Sequence, residues 1–87
     1  MPPNEVAVWM LEELERVKFL YQETAVYDIA TKFGQQFTYI NANGNMAIRK
    51  GVLDAFAKLT GDAVVFERTE RMWRKRQPYD RPGRQQD

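Results

Sequence analysis

Residues 63–84 read AVVFERTERMWRKRQPYDRPGR, two β-rich runs with a dense arginine load between and after them. Val64-Val65-Phe66 and Met72-Trp73 have the β-branched and aromatic character of strands. They pair as a hairpin across Arg68 to Arg71. A two-residue Thr69-Glu70 loop sets Phe66 opposite Trp73 on the core side. No glycine supports so tight a turn, so a longer loop with another register is the alternative. Seven bases (Arg68, Arg71, Arg74, Lys75, Arg76, Arg81, Arg84) face two acids, Glu70 and Asp80, a local charge of +5. Residues 77–87, with Pro78, Pro82 and Gly83, read as a flexible polar tail that Tyr79 could lay back on the domain.

The opposite end carries the opposite charge. Residues 1–30 hold six acids (Glu5, Glu12, Glu13, Glu15, Glu23, Asp28) against Arg16 and Lys18, a charge of −4 in a chain whose net charge is +1. Such polarity suggests an anionic partner at the basic end. The acidic run itself reads as the solvated face of a helix. Pro2 and Pro3 discourage regular structure, and Asn4 is a good N-cap for a first helix. Val6, Met10, Leu14, Val17 and Tyr21 recur at spacings of three or four, one apolar stripe with Trp9, Leu11 and Phe19 beside it.

A second helix is expected from Glu23 or Thr24, with Val26, Ile29, Ala30 and Phe33 inward and Gly34 at the left-handed position after its end. Phe37-Thr38-Tyr39-Ile40 is a short β run, and Asn43-Gly44 is the strongest short hairpin signal because a type I′ turn needs two residues at positive φ. That turn sets Ile40 opposite Ala47 and Tyr39 opposite Ile48, and puts Phe37, Tyr39, Met46 and Ile48 on one face. The competing reading starts a helix at Asn45 and runs through Met46. A third helix spans about 49–60, burying Val52, Leu53, Phe56 and Leu59 and stopping at Thr60-Gly61. Gly51 near its start costs up to about 1 kcal/mol against alanine if it lies in the helix interior.

With 87 residues, 44% of them apolar and 29% charged, the chain reads as one soluble domain, residues 1–76, followed by the tail. Eleven aromatics help so small a core, and leave some aromatic surface for a partner. No apolar run is long enough to span a membrane, and the start has neither a basic region nor a long apolar stretch, which argues against a leader peptide. The expectation is a cytoplasmic protein. There is no Cys, His or Ser. Ser–His and Cys–His nucleophiles are therefore excluded, as are zinc sites of imidazole or thiolate. Catalysis is left to carboxylates, Lys, Tyr or Thr. We read the chain as a non-enzyme with no cofactor and no metal. The Asn41–Asn45 segment lacks the carboxylates of a calcium loop and reads as a turn, and Gly34 and Gly44 form no phosphate-binding pattern.

Helix, helix, short β segment, helix and C-terminal β-hairpin wing is the order of an α+β, winged helix-turn-helix-like fold. In that plan the third helix is presented to the DNA major groove and the wing touches phosphate. Arg49, Lys50 and Lys58 would lie on the presented helix, and Arg68, Arg71, Arg74 and Arg76 on the wing. Base-edge readout wants more than two bases followed by Asp54, Ala57 and Lys58. The wing arginines alternate with core positions, so pairing with Glu67, Glu70 or the acidic first helix is an equal reading. Trp73-Arg74-Lys75-Arg76 also suggests a stacking platform for single strands, although Trp73 reads first as core. The two functional expectations are duplex-DNA binding through a basic wing, and a protein–protein module or homodimer with no nucleic-acid role.

The segments FGQQFTYINANGNMAI and VLDAFAKLTGDAVVFERTERMWRKRQPYDRPGR resemble a family of small uncharacterised bacterial proteins with a winged-helix-like domain. The likeness covers roughly residues 22–84. It rests on Phe33-Gly34, the Asn41-to-Asn45 turn and the Trp73-Arg74-x-Arg76 end. The resemblance implies the winged-helix-like fold and carries no activity with it. Phe66 stands where that pattern has Trp, and Arg49 where it has a helix-capping Ser or Asp, leaving the third helix without a side-chain cap.

Overall fold

Val6, Ala7, Met10 and Leu14 recur every three or four positions and are buried, closing α1 (Pro3–Val17) onto the core. The computed structural model describes residues 3–86; the expected influence of Pro2 and the end of the tail, Asp87, lie outside them. Asn4 sits inside α1 rather than capping it. Pro3 opens the helix because its fixed φ suits the first position and its missing N–H has no partner to lose there.

The apolar stripe does not continue to Tyr21. Lys18 turns to φ +74 and its N–H closes on the Leu14 carbonyl at 2.8 Å, which ends the helix as a glycine in this conformation would. Phe19–Tyr21 is then strand β1, with Leu20 buried between exposed Phe19 and Tyr21. Val17 is exposed too. Three residues of alternation are too few to stand out beside a helical stripe, which hides the strand in the sequence. Helix α2 (Gln22–Lys32) follows at once and buries Ala25, Val26 and Ile29. Gly34 takes φ +107 and donates its N–H to the Ile29 carbonyl at 3.2 Å.

After a single 3-10 turn, β2 (Thr38–Ile40) and β3 (Met46–Ile48) form the expected hairpin one residue out of the expected register. Thr38 pairs with Ile48, Tyr39 with Ala47 and Ile40 with Met46. Asn41 causes the shift. Its Oδ1 accepts the N–H groups of Asn43 and Asn45, each at 3.0 Å, and its own N–H donates to the Asn45 carbonyl at 2.8 Å. The loop is therefore Asn41–Asn45 rather than Asn43-Gly44 alone. A one-residue slip changes which residues share a face: Thr38, Ile40, Met46 and Ile48 now lie together and Tyr39 stands with Ala47 on the other side, and of the expected face Tyr39 and Met46 are exposed.

Helix α3 (Lys50–Thr60) buries Val52, Phe56 and Thr60; Leu53 is half-buried and Leu59 is exposed, contrary to the expected stripe. Arg49 precedes it without a side-chain cap. Gly51 lies in its first turn, where an added Cβ would meet Pro3 at 3.8 Å, an ordinary contact. A second 3-10 turn leads to β4 (Val64–Glu67) and β5 (Met72–Lys75). Phe66 does stand opposite Trp73, and Arg71 takes φ +55 to close the turn without glycine.

Residues 77–86 fold back onto the domain. Gln85–Gln86 forms β6, parallel to β4, with Phe66 beside Gln85 and Glu67 beside Gln86. The sheet order is β1-β5-β4-β6. Three helices and this sheet make an α+β domain whose element order is compatible with a winged plan. The helices cover the face that carries Val64 and Trp73, and Trp73 meets Phe66 and Phe56 with ring centroids 5.0 and 5.7 Å apart. Trp9 meets Phe33 edge-on at 5.9 Å. Among the described residues no helix is long and apolar enough to cross a membrane.

Phe56, fully enclosed between α1 and the sheet, and Leu59 test this packing against the sequence expectation. Phe56→Ala is expected to lose about 3–5 kcal/mol of stability, and Leu59→Ala under about 0.5 kcal/mol. Urea unfolding followed by tryptophan fluorescence measures both; equal losses would return Leu59 to the core.

Candidate binding surface

Alternation along β5 turns Trp73 to the helices and Arg74 to the opposite face, where water is expected. Over β4 and β5 that face is covered, whereas Phe19 and Tyr21 of β1 leave it exposed. Arg74 is 7% exposed and shares it with Val65, its cross-strand neighbour, which is fully buried. The Arg74 Nε donates to Glu67 Oε2 at 2.5 Å, and its two terminal nitrogens grip Asp80 in a bidentate pair at 2.8 Å each. The Tyr79 ring lies 5.7 Å from the guanidinium carbon. Both acids hold the Arg74 charge, so its pKa is raised by these bonds, Asp80 first and Glu67 second. The Asp80 side chain is 3% exposed. Its pKa falls to about 2, chiefly through Arg74 and next through the Gln77 N–H that donates to it at 2.7 Å.

Arg76 is committed in the same way, to carbonyl groups. Its Nε donates to the Asp62 carbonyl at 2.6 Å, and its terminal nitrogens donate to those of Arg81 at 3.0 Å and Gly83 at 2.6 Å. Arg84 reaches the C-terminal end of α3, where it donates to the Gly61 carbonyl and, at 3.1 Å, to Thr60 Oγ1. Carbonyls at a helix end lack partners of their own and favour a cation. Gln86 is buried, and its amide donates to the carbonyls of Arg81 at 2.8 Å and Gly83 at 3.2 Å. Arg74 and Arg76 are thus structural anchors of the strap 77–86. The expectation that they reach outward to phosphate is corrected by this strap, whose polar, proline-bearing sequence gives no sign that it folds back.

The other expected contacts are dispersed. Arg49 lies over the Tyr39 ring at 5.9 Å and donates to the Gln36 carbonyl at 3.0 Å. Lys50 pairs with Asp54 at 2.7 Å on the exposed side of α3, and its pKa is raised by that bond. Lys58 is exposed further along the helix. Arg68 and Arg71 are exposed on the β4–β5 turn; Arg68 has contacts within the chain. Lys75 reaches Glu15 of α1 at 2.8 Å, so part of the charge polarity of the sequence is met internally.

What the sequence does not point to is a cleft in which tyrosines, Val26 and Met46 stand among the polar side chains of Gln22, Glu23, Thr24 and Asn45. The hairpin face that is buried at Thr38 and Ile48 runs outward to the cross-strand pair Ile40 and Met46, exposed by 64% and 38%. Met46 shares a cleft of about 560 Å³ with Tyr21, Val26 and Tyr27 of the β1–α2 junction and with Glu70 and Arg71 of the turn. The Gln22 N–H donates to the Arg71 carbonyl at 2.8 Å and fixes the turn against α2. Tyr27 is 66% exposed. These positions come together only through the shifted hairpin register and the hidden strand β1.

A model of a family of unknown function, DUF6953, matches residues 2–75. The chain belongs to this family. No curated protein and no solved structure matches it. All of the cleft lies within the DUF6953 match, as do Glu67 and Arg74; Asp80, Arg84 and Gln86 lie beyond it. The signal for the second group is readable: Asp80 is the single acid between Arg71 and Arg84.

Arg74→Gln removes the cation between two acids and is expected to destabilise the DUF6953 domain by about 3 kcal/mol in urea unfolding; a loss under about 1 kcal/mol would mark the pair as surface-like. Because the folded pKa of Asp80 is depressed, its contribution is present above about pH 4 and is lost as pH falls toward about 2. The Gln77 amide resonance should report that loss in an acid titration, and Asp80→Asn should abolish the dependence.

Proposed function

We propose that this domain is a protein-binding module, without enzymatic activity, that takes an apolar anchor of its partner in the cleft between α2, the β2–β3 hairpin and the β4–β5 turn. One contrast carries the reading. The arginines with the strongest claim on phosphate, Arg74 and Arg76, serve their own chain, whereas Tyr21, Tyr27 and Met46 stand exposed around one concavity, with exposed Ile40 across the hairpin from Met46. Tyrosine and methionine are enriched where proteins dock: tyrosine offers large contact area at small entropic cost, and methionine a flexible side chain that adapts to its partner. Glu70 and Arg71 supply a polar rim that orients a partner. A cytoplasmic setting fits a chain without cysteine.

Duplex-DNA binding by a winged helix is the second reading, supported by the outward Lys50 and Lys58 on α3 and by Arg71 on the turn. Three phosphate contacts from these residues give a log–log salt slope of about −2.7. Two measurements on the full chain separate the readings. Selection from a random peptide library displayed on phage should enrich sequences with aromatic or aliphatic anchors, and Tyr27→Glu should abolish their binding while leaving the thermal midpoint unchanged. Fluorescence anisotropy with duplex DNA at low salt should show no saturable binding. A saturable isotherm with that salt slope, together with no peptide enrichment, would reverse the order of the two.

A further inference from the structure

The strap and its seat form a second surface that is independent of the cleft. Two N–H groups on the outer edge of β4 are taken by the strap: Phe66 donates to the Arg84 carbonyl and Arg68 to the Gln86 carbonyl, each at 2.7 Å. Arg76 grips two further strap carbonyls, Arg81 and Gly83. Three side chains add specificity: Asp80 on Arg74, Arg84 on the end of α3, and the buried Gln86 that folds the strap on itself. All but the last are contacts between the strap and the body of the domain. They depend on which residues meet and not on which copy supplies them.

We infer that the β4 edge is a strand-addition site whose second occupant is the strap of another copy of this chain, so that two copies exchange residues 80–86 reciprocally. The connection allows it. Gln77, Pro78 and Tyr79 are all exposed, and the closed form needs the tight turn in which the Asp80 N–H donates to the Gln77 carbonyl at 3.0 Å. The bonds that residues 80–86 make to the chain up to Arg76 are regained in the exchanged dimer; the 77–80 turn opens, and with it the bond from the Gln77 N–H to Asp80. The arrangement is isologous, each copy giving and receiving the same segment. A strap on its own short linker has an effective concentration of the order of millimolar, which sets the chain concentration at which exchange competes.

The chain has no cysteine, so introduced thiols report cleanly. Phe66 and Gln85 are register partners. Full-length Phe66→Cys and Gln85→Cys chains are mixed at about 1 mM, the concentration scale of the tethered strap, under a mild oxidant. A disulfide-linked heterodimer should accumulate. The pair Glu12→Cys with Gln85→Cys, one thiol on the outer face of α1, sets the background of random collision. Placing both thiols in one chain should lock the strap and abolish the dimer. A matched band no stronger than background overturns the inference. The native chain gives a second measurement: isotope-filtered NOEs from Gln85 and Gln86 of a labelled copy to Phe66 of an unlabelled one should appear at the same concentration, and their absence overturns it as well.

Discussion

Strands β4 and β5 are covered on both faces, and a guanidinium buried between two carboxylates holds the second cover in place. Arg74 joins β5 to Glu67 at the end of β4 and to Asp80 in the strap. A charge at this depth is tolerable only when its donors are satisfied, and among the described residues no buried side-chain nitrogen or oxygen lacks a partner. Without Asp80 in place, Val65 and Arg74 would face water and β4 would be an open edge. The ion pair therefore decides how far the folded domain extends, past Arg76 and through residue 86.

Much of this is legible in sequence, for local reasons. The helices announce themselves by spacing, Gly34 by its left-handed φ, and the β4–β5 register by two aromatic residues that must share a face. Failures have local causes too. Strand β1 is three residues long and owes its existence to β5, which lies more than fifty residues away in the chain. The hairpin register turns on a side chain, Asn41, competing with the backbone for the turn. Leu59 falls outside the buried arc that Val52 and Phe56 define. The candidate site is the least readable, because charge along a sequence does not say which carbonyls or carboxylates will absorb it.

The basic run has a different meaning once folded. Its local excess of positive charge looks like an offer to an anion. In three dimensions the interior arginines bind carbonyls and acids of the same chain, Lys75 reaches across to α1, and the outward bases that remain are spread over α3 and one turn. The cleft instead sets exposed tyrosines and Met46 among polar side chains, and it is assembled with the two features hidden from sequence reading, strand β1 and the slipped hairpin.

The grip of Arg76 on main-chain oxygens distributes mutational tolerance unevenly. A carbonyl is present whatever the side chain, so this grip does not depend on which residue stands at position 81; Gly83, at φ +100, is constrained on backbone grounds. On the other side of the contact a single guanidinium carries the load, and lysine cannot replace its three-way fork. Substitution in the strap should therefore be limited by Asp80, Arg84 and Gln86, whose side chains make the specific bonds, and by the arginine that reads its carbonyls.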